Sequence, residues 1–230
     1  MIRLALAAAL ALGAAPASAQ SPRWGTLDLG VQGYRPNIDA EFPTRPGPYQ
    51  TIFGSGRGWM FQLGVTRALY TQVGSLELGL RTGYFQDKGK GIIAGSTPPQ
   101  PSGDDTAFRI VPTSLTLLYR FDWLADRWNV PLAPYGRAAL ERYNWWVTGG
   151  SGSTSKSGAT NGWSVTGGVG FLLDFLDPGL AREFDADSGV NHTFIYAEVT
   201  KSRIDDFGSS KSWDLSDEKL SFGFGLSFVF

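Results

Sequence analysis

The amino-acid sequence predicts an all-β fold: an eight-stranded antiparallel up-and-down transmembrane β-barrel with one short helical turn at one end. Three observations lead to this prediction. The chain carries an export signal but no apolar helical anchor, it contains eight long segments in which apolar and polar residues alternate, and it is rich in glycine (30 of 230 residues) and in aromatic residues (13%). Alternation with a period of two is the primary sign of a strand, because successive side chains of a strand point to opposite faces.

The composition excludes several classes of function. The chain has 20 Lys and Arg against 21 Asp and Glu, so it lacks the basic excess of a nucleic-acid-binding protein. It has no cysteine for a disulfide framework or a thiolate metal site, and its single histidine, His192, cannot form a histidine-rich site. We therefore expect no nucleic-acid partner, no cofactor and no metal site.

The N-terminal residues have the pattern of a secretory signal peptide. Arg3 precedes the apolar run Leu4–Ala15, and the A-x-A cleavage pattern follows at 17–19. We predict a signal peptide over 1–19 and one mature domain over 20–230; the alternative for the first segment is a short buried helix. No later run of 18 apolar residues could form a transmembrane helix. Such an exported chain is secreted, periplasmic or inserted in a membrane as a barrel.

Eight segments of 11 to 16 residues show the strand pattern. They are longer than the usual strand of about 5–6 residues and reach the length of about 9–11 residues that a tilted strand needs to cross a membrane. An even number of strands lets the sheet close without a free edge, which lipid requires. The segments are 24–34, 58–70, 74–85, 108–121, 132–147, 162–175, 192–204 and 219–230. For 132–147 and 192–204, the sequence does not decide which residues point to which side of the sheet.

The two faces of these segments indicate the solvent on each side. One face carries large apolar residues such as Leu27, Phe61 and Leu78, and the other carries glycine, serine, threonine and charged residues. Membrane barrels have this polarity, apolar outside and polar inside, and eight strands leave an interior only wide enough for side chains. We therefore expect the charges to pair across a plugged lumen. The predicted lumen charges are Asp28, Glu77, Arg81, Arg120 and Asp174, with Arg137, Glu141 and Glu198 as further candidates. The alternative is that these charged residues lie on the solvated face of a soluble β-sandwich.

The connections between segments alternate in character. The odd-numbered connections, 35–57, 86–107, 148–161 and 205–215, are long or low in complexity, as outer-surface loops are; the even-numbered ones, such as 71–73, are then periplasmic turns, and both termini are periplasmic. Loop apolar residues are expected to fold over the barrel mouth, namely Phe42, Ile52, Phe53, Ile92, Ile93 and Trp213.

The connection 176–191 is predicted to contain a short helix. Asp177 is suited to the N-cap, Pro178 to the first helical position and Gly189 to the end of the helix. An ordinary loop is the alternative.

The last strand resembles a known signature. Counting back by twos from the last residue gives Phe230, Phe228, Leu226, Phe224 and Phe222, and this pattern resembles the C-terminal signature of bacterial outer-membrane β-barrels, which the barrel-assembly machinery recognises. The mature chain as a whole resembles the small eight-stranded outer-membrane barrels. The stretches 176–180 and 191–193 are similar to a family of uncharacterised outer-membrane β-barrel proteins from myxobacteria. The resemblance implies the outer membrane of a Gram-negative bacterium and no catalytic residues.

Searches for catalytic chemistry do not favour an enzyme. His192 and the pair Asp205 and Asp206 lie at opposite ends of one strand, which is too far for a histidine–aspartate dyad. There is no G-x-S-x-G motif, and the glycine-rich stretch 149–158 lacks the glycine before Lys156 that a P-loop requires. We expect a non-enzymatic protein.

The sequence thus predicts a monomeric integral outer-membrane barrel with a structural, surface-interaction or small-solute role. The alternatives are a narrow pore or hydrophobic-solute transporter, a lipid-modifying enzyme on a barrel scaffold, and a soluble periplasmic binder. The expected partners are outer-membrane lipid, lipopolysaccharide and the barrel-assembly machinery. Basic residues placed to meet lipopolysaccharide phosphates are Arg35, Arg45, Arg57, Lys88 and Lys90.

Overall fold

Eight antiparallel strands close into a barrel in which every strand pairs with its sequence neighbours and β1 pairs with β8. The computed structural model describes residues 22–230 except 44–45, 94, 98, 129, 150–153 and 210, so the predicted signal peptide lies outside the described residues. The strands are β1 (Gly25–Tyr34), β2 (Gly58–Tyr70), β3 (Ser75–Ile92), β4 (Pro101–Arg120), β5 (Leu132–Thr148), β6 (Thr154–Leu172), β7 (His192–Arg203) and β8 (Ser221–Val229). The predicted fold class is confirmed.

Short helices occupy some of the connections. They are α1 (Pro48–Phe53), α2 (Trp123–Trp128) and α3 (Pro178–Ser188), with 3₁₀ turns at Ile38–Glu41 and Leu173–Phe175. The helix α3 begins and ends as predicted: the Asp177 carboxylate accepts hydrogen bonds from the backbone N–H groups of Gly179 and Leu180, and Gly189 ends the helix with a left-handed φ of 73°. The sequence prediction had one helical turn and missed α1 and α2.

The two ends of the barrel differ in what they carry. The terminal end holds both ends of the barrel domain, the tight turn between β2 and β3, and the connections that contain α2 and α3. The opposite end, called the cap, holds α1 and the segment around it, the tips of the β3–β4 and β5–β6 hairpins, and the connection 204–220. Connection length alone does not separate the two ends: 35–57 and 204–220 at the cap are long, but the β3–β4 connection there is short, and 173–191 at the terminal end is long.

The hairpins of the cap are longer than the alternation predicted. β3 continues to Ile92 and β4 begins at Pro101 where a loop was expected over 86–107, and β6 begins at Thr154 rather than at 162. These extensions carry polar residues such as Lys88 and Lys90, which lie exposed on β3. The apolar alternation that marks the rest of the barrel is lost over these extensions.

The apolar face of the strands points outward. Phe61, Leu80 and Phe224 are 60%, 62% and 55% exposed, and Leu78 and Leu117 lie beside them on the same surface. We call this outward-facing surface the belt. Charged residues on the outer surface stand toward its two margins, with Arg67 toward the terminal end and Lys201 and Arg203 toward the cap.

The inward face is polar, and its glycines make room for tyrosines. A Cβ at Gly30 would come within 2.2 Å of the Tyr196 hydroxyl, and one at Gly225 within 2.6 Å. The structure also shows which residues of β5 and β7 point inward. Arg137 and Glu198 point into the barrel, whereas Leu140 and Ile195 point outward.

Candidate functional site

A network of charges crosses the lumen at the level of the belt. Glu198 on β7 accepts hydrogen bonds from Arg81 at 2.9 Å, from Arg137 at 3.0 Å and from the Tyr135 hydroxyl at 2.8 Å. The second arm of Arg137 reaches Asp28 on β1 at 2.9 Å. Four strands from different sides of the barrel, β1, β3, β5 and β7, are therefore linked through their side chains.

A second charge pair lies nearer the terminal end. Arg120 approaches Glu77 at 3.8 Å and donates to the hydroxyls of Thr26 at 3.4 Å and Ser227 at 3.3 Å. The hydroxyl of Thr66 donates to Glu77. The two groups of side chains together form what we call the ionic lumen, which consists of Asp28, Glu77, Arg81, Arg120, Arg137 and Glu198.

The ionic lumen is balanced and filled. Its six members are three guanidinium groups and three carboxylates, each with an opposite charge nearby, which is the arrangement that buried charges require. One further predicted candidate, Glu141, also points inward and accepts hydrogen bonds from the hydroxyls of Ser114 and Ser164. Two cavities among these side chains have volumes of about 20 and 10 Å³. A single water molecule needs about 10–15 Å³. Each of these spaces therefore has room for a water molecule and not for a solute.

The fifth predicted lumen charge, Asp174, lies elsewhere. The sequence prediction placed it in a strand ending at 175, but β6 ends at Leu172 and Asp174 belongs to the 3₁₀ turn that follows at the terminal end. Its carboxylate accepts the backbone N–H of Thr193 at 3.0 Å and contacts the Nδ1 of His192 at 2.7 Å. The other four predicted charges, Asp28, Glu77, Arg81 and Arg120, are members of the ionic lumen.

The contact between His192 and Asp174 is a histidine–aspartate pair that the sequence search missed. The Nε2 atom of His192 contacts Arg23 at 2.7 Å, and Arg23 also donates to Asp122 at 3.3 Å. Both ring nitrogens are therefore engaged, whereas a general base needs one nitrogen within reach of a substrate proton. The arrangement ties the segment before β1 to the β4–β5 and β6–β7 connections.

The cap is filled by apolar and aromatic side chains. Its buried members, which we call the cap core, are Tyr34, Ile38, Tyr49, Met60, Phe85, Phe108, Ile110, Tyr143, Ile204 and Leu215. The helix α1 lies directly on β3, because Gly89 has no side chain: a Cβ there would meet the Ile52 carbonyl oxygen at 1.9 Å. Burial and the neighbouring Asp87 carboxylate raise the pKa of Tyr49, so its hydroxyl stays protonated and donates to Asp87 at 2.8 Å.

A cavity of about 340 Å³ opens above the cap core, and we call it the cap cavity. Its lining includes Phe42, Tyr49, Phe53, Phe108, Lys156 and Trp213. Four of the loop residues predicted to fold over the mouth line it, namely Phe42, Ile52, Phe53 and Trp213. Ile92 and Ile93 do not, and are 38% and 51% exposed at the tip of the β3–β4 hairpin.

The basic residues predicted to meet lipopolysaccharide mostly have acidic partners within the cap. Arg35 pairs with Asp39 and Glu218, Arg57 with Asp217, and Lys90 with Asp105. Lys88 is exposed, and Arg45 lies outside the described residues.

The five residues of the C-terminal signature differ in their exposure. Phe222, Phe224 and Leu226 are exposed on the belt, whereas Phe228 and Phe230 are half-buried. The ring of Phe230 lies 5.6 Å from that of Trp24.

Two absences hold for the part of the chain that the structure describes. There, no helix has the length and hydropathy to cross a membrane. No group of three or more histidine or acidic side chains is placed to hold a metal ion among the same residues.

No family model matches the chain, and no curated protein matches it either. Among solved structures, the chain is similar to Ail, the attachment invasion locus protein of Yersinia pestis, at 11% identity and a TM-score of 0.40, over 92% of this chain and 100% of that one. It is similar to the N-terminal barrel domain of Pseudomonas aeruginosa OprF at 14% identity and a TM-score of 0.38, over 91% and 100% of the two chains. A major outer-membrane protein of Thermus thermophilus gives 12% identity and a TM-score of 0.37, over 90% and 99%.

Proposed function

We propose that the chain is an integral outer-membrane barrel protein with a non-conducting lumen, a cap that faces the exterior and a non-enzymatic role at the cell surface. The observation that carries this proposal is the polarity of the barrel wall. Leu80 and Phe61 are among the most exposed side chains of the belt, while Glu77 and Glu198 are 1% and 3% exposed inside. Water outside such a surface is unfavourable, because each Å² of apolar surface that it contacts costs about 25 cal/mol. Lipid removes this cost.

Aromatic residues at both margins of the belt support the membrane location. Trp59 and Tyr84 are exposed toward the cap, and Trp24 and Tyr119 toward the terminal end. Membrane barrels carry such girdles where the apolar zone meets the lipid headgroups. The projecting β3–β4 and β5–β6 hairpins favour the cap as the outer side, and the proposal then puts both termini on the periplasmic side. The exposed Phe222, Phe224 and Leu226 are then available to the barrel-assembly machinery.

Lipopolysaccharide is the proposed lipid partner at the outer margin. Lys201, Arg203 and Arg142 are exposed on the outer wall of β7 and β5, near the cap. Arg203 pairs with Asp205 at 2.8 Å and Arg142 donates to Asn161 at 3.1 Å, so Lys201 is the most available of the three cations. We place the lipid phosphates here rather than on Arg35, Arg57 and Lys90, which have acidic partners.

A pore is the second candidate function, and the filled ionic lumen argues against it. The full chain reconstituted in planar bilayers is expected to show no discrete conductance steps. Regular steps of one amplitude would support the pore and overturn the non-conducting lumen. The observed engagement of both His192 nitrogens argues in the same way against the barrel-scaffold enzyme.

The membrane location is tested by placing a charge on the belt. Leu80→Arg puts a cation among lipid tails, at a cost of about 2–4 kcal/mol near the bilayer midplane, and we expect less folded protein in outer-membrane fractions and loss of heat-modifiable migration on gels. Ile93→Arg is the matched control, since Ile93 is exposed at the hairpin tip, away from the belt. A Leu80→Arg variant that folds and stays soluble without detergent would refute the membrane location.

A further inference from the structure

We infer that the cap cavity binds a small anionic amphiphile, a molecule with an apolar chain or ring and one carboxylate or similar group. At about 340 Å³ the cavity is more than twice the size of a cavity of about 150 Å³ that holds benzene. It falls at the lower end of the range of ligand pockets, about 300–1,000 Å³. By the same measure it has room for on the order of a dozen non-hydrogen atoms.

The walls of the cap cavity are formed by side chains that are already held in place. The Tyr49 ring lies 4.9 Å from Phe53 and 5.9 Å from Phe108. On another side, Trp213 stacks on Trp145 with ring centroids 4.2 Å apart. The ligand would therefore meet a preformed aromatic surface, which lowers the entropic cost of binding.

One cation stands beside these walls without a carboxylate of its own. Lys156 on β6 lines the cap cavity and is exposed, and no ion pair or hydrogen bond involves its ammonium group within the described residues. By contrast, the cap cations Arg57 and Lys90 pair with Asp217 and Asp105. An apolar pocket with a single charged group fixes the orientation of a ligand of opposite charge. An anionic headgroup at Lys156, with the apolar part against Phe53 and Trp213, satisfies both features.

The cavity ends at the cap core and does not continue into the ionic lumen. Phe108, Phe85 and Met60 lie beneath it and are at most 1% exposed. The site is therefore built to hold its ligand at the surface rather than to pass it along the barrel axis. This inference rests on the cap alone, so a failure of binding and a failure of the proposed membrane location are separate outcomes.

The experiment uses ω-bromodecanoate, whose bromine quenches tryptophan fluorescence on contact, and the full chain in phosphatidylcholine nanodiscs. Probe that only partitions into lipid quenches the exposed belt tryptophans without saturation. Probe bound in the cap cavity adds a saturable component. We expect Trp213→Phe to diminish that component and Trp163→Phe, on the barrel wall, to leave it unchanged.

The role of the cation is tested with Lys156→Met and a matched control, Lys88→Met, which removes an exposed cap lysine that does not line the cavity. Loss of one charge-assisted contact at a partly exposed site is expected to raise the Kd for ω-bromodecanoate by about three- to tenfold. Lys88→Met should bind ω-bromodecanoate with the Kd of the native chain. Lys156→Met should bind the neutral ω-bromodecanol as the native chain does. Quenching without saturation in the native chain, or equal Kd values in the two lysine variants, would overturn the inference.

Discussion

The ionic lumen and the cap core lie in the same barrel and are stabilised by different interactions. In the lumen, Glu198 and Arg137 bring together charges from opposite sides of the wall. In the cap, Phe108 brings together rings from α1, β5 and the β7–β8 connection. The difference follows from what surrounds the wall. In the proposed membrane location, lipid takes up the apolar side chains of the belt and polar ones are left inside, whereas the strand extensions of the cap stand in water and pack apolar residues inward.

The two regions should therefore respond to opposite kinds of substitution. Loss of a charge should harm the lumen most, and loss of apolar volume should harm the cap most. Substitutions in the lumen and in the cap test this contrast.

The largest effect is expected for Glu198→Gln. The variant keeps the shape of the side chain but removes the carboxylate that Arg81 contacts, and it leaves Arg137 paired with Asp28 alone. Removing one partner from a buried charge network costs about 3–5 kcal/mol, and this value should be reached in the free energy of unfolding, measured with urea in phospholipid vesicles. Lys201→Gln is the control, since it removes an outward-facing charge of the same strand.

A second variant separates charge balance from lost contacts. Adding Arg81→Met to Glu198→Gln restores equal numbers of cations and anions, so the double variant should be more stable than Glu198→Gln alone. If the double variant is the less stable of the two, charge balance does not govern the ionic lumen.

The cap counterpart is Phe108→Ala, with an expected cost of about 3–4 kcal/mol. Phe108 is 1% exposed and contacts four aromatic rings, so its removal leaves a large cavity. We expect proteases to cut the cap more quickly while the barrel keeps its heat-modifiable migration. Equal loss of the cap and of the barrel would mean that the two regions fold as one unit and would weaken the contrast.

More of the lumen than of the cap could be predicted from the sequence. Alternation such as Leu76, Leu78 and Leu80 identified the strands because the outward face of the barrel is an unbroken apolar surface. That same alternation placed Asp28 and Arg81 on the inward face. Their partners were not predictable, since the contact of Arg137 with both Asp28 and Glu198 depends on the closure of the barrel.

The cap and the terminal end carried weaker signals. The segments 86–92 and 101–107 carry exposed polar residues in place of apolar ones, so they lost the strand pattern although they pair as strands. The cap cavity joins Tyr49, Phe108 and Trp213, which are remote in sequence. His192 meets Asp174 because the β6–β7 connection folds back, and strand spacing alone gave no sign of it.

At the terminal end, the β6–β7 connection is held by a few polar contacts around Asp174. Asp174→Asn weakens the contacts to His192 and to the backbone of Thr193. Because hydrogen bonds to a charged group contribute about 1.5–3 kcal/mol, we expect a loss of about 2 kcal/mol in the free energy of unfolding. Asp104→Asn, in the exposed β3–β4 hairpin, should leave the free energy of unfolding unchanged. An equal loss in both variants would show that the Asp174 contacts do not stabilise the protein specifically.

The smallest effect is expected for Asp177→Ala, at the start of α3. The Asp177 carboxylate accepts the backbone N–H groups of Gly179 and Leu180 at 3.0 Å each, and both would lose this acceptor. Loss of such a cap costs about 1 kcal/mol. Because α3 is exposed along its length and has no buried residue, this cost should stay within the helix. Amide hydrogen exchange should therefore quicken at the first turn of α3 and remain unchanged in β6 and β7. Faster exchange along β7 would show that α3 stabilises the barrel wall, and the terminal end would then belong with the lumen as a structural support.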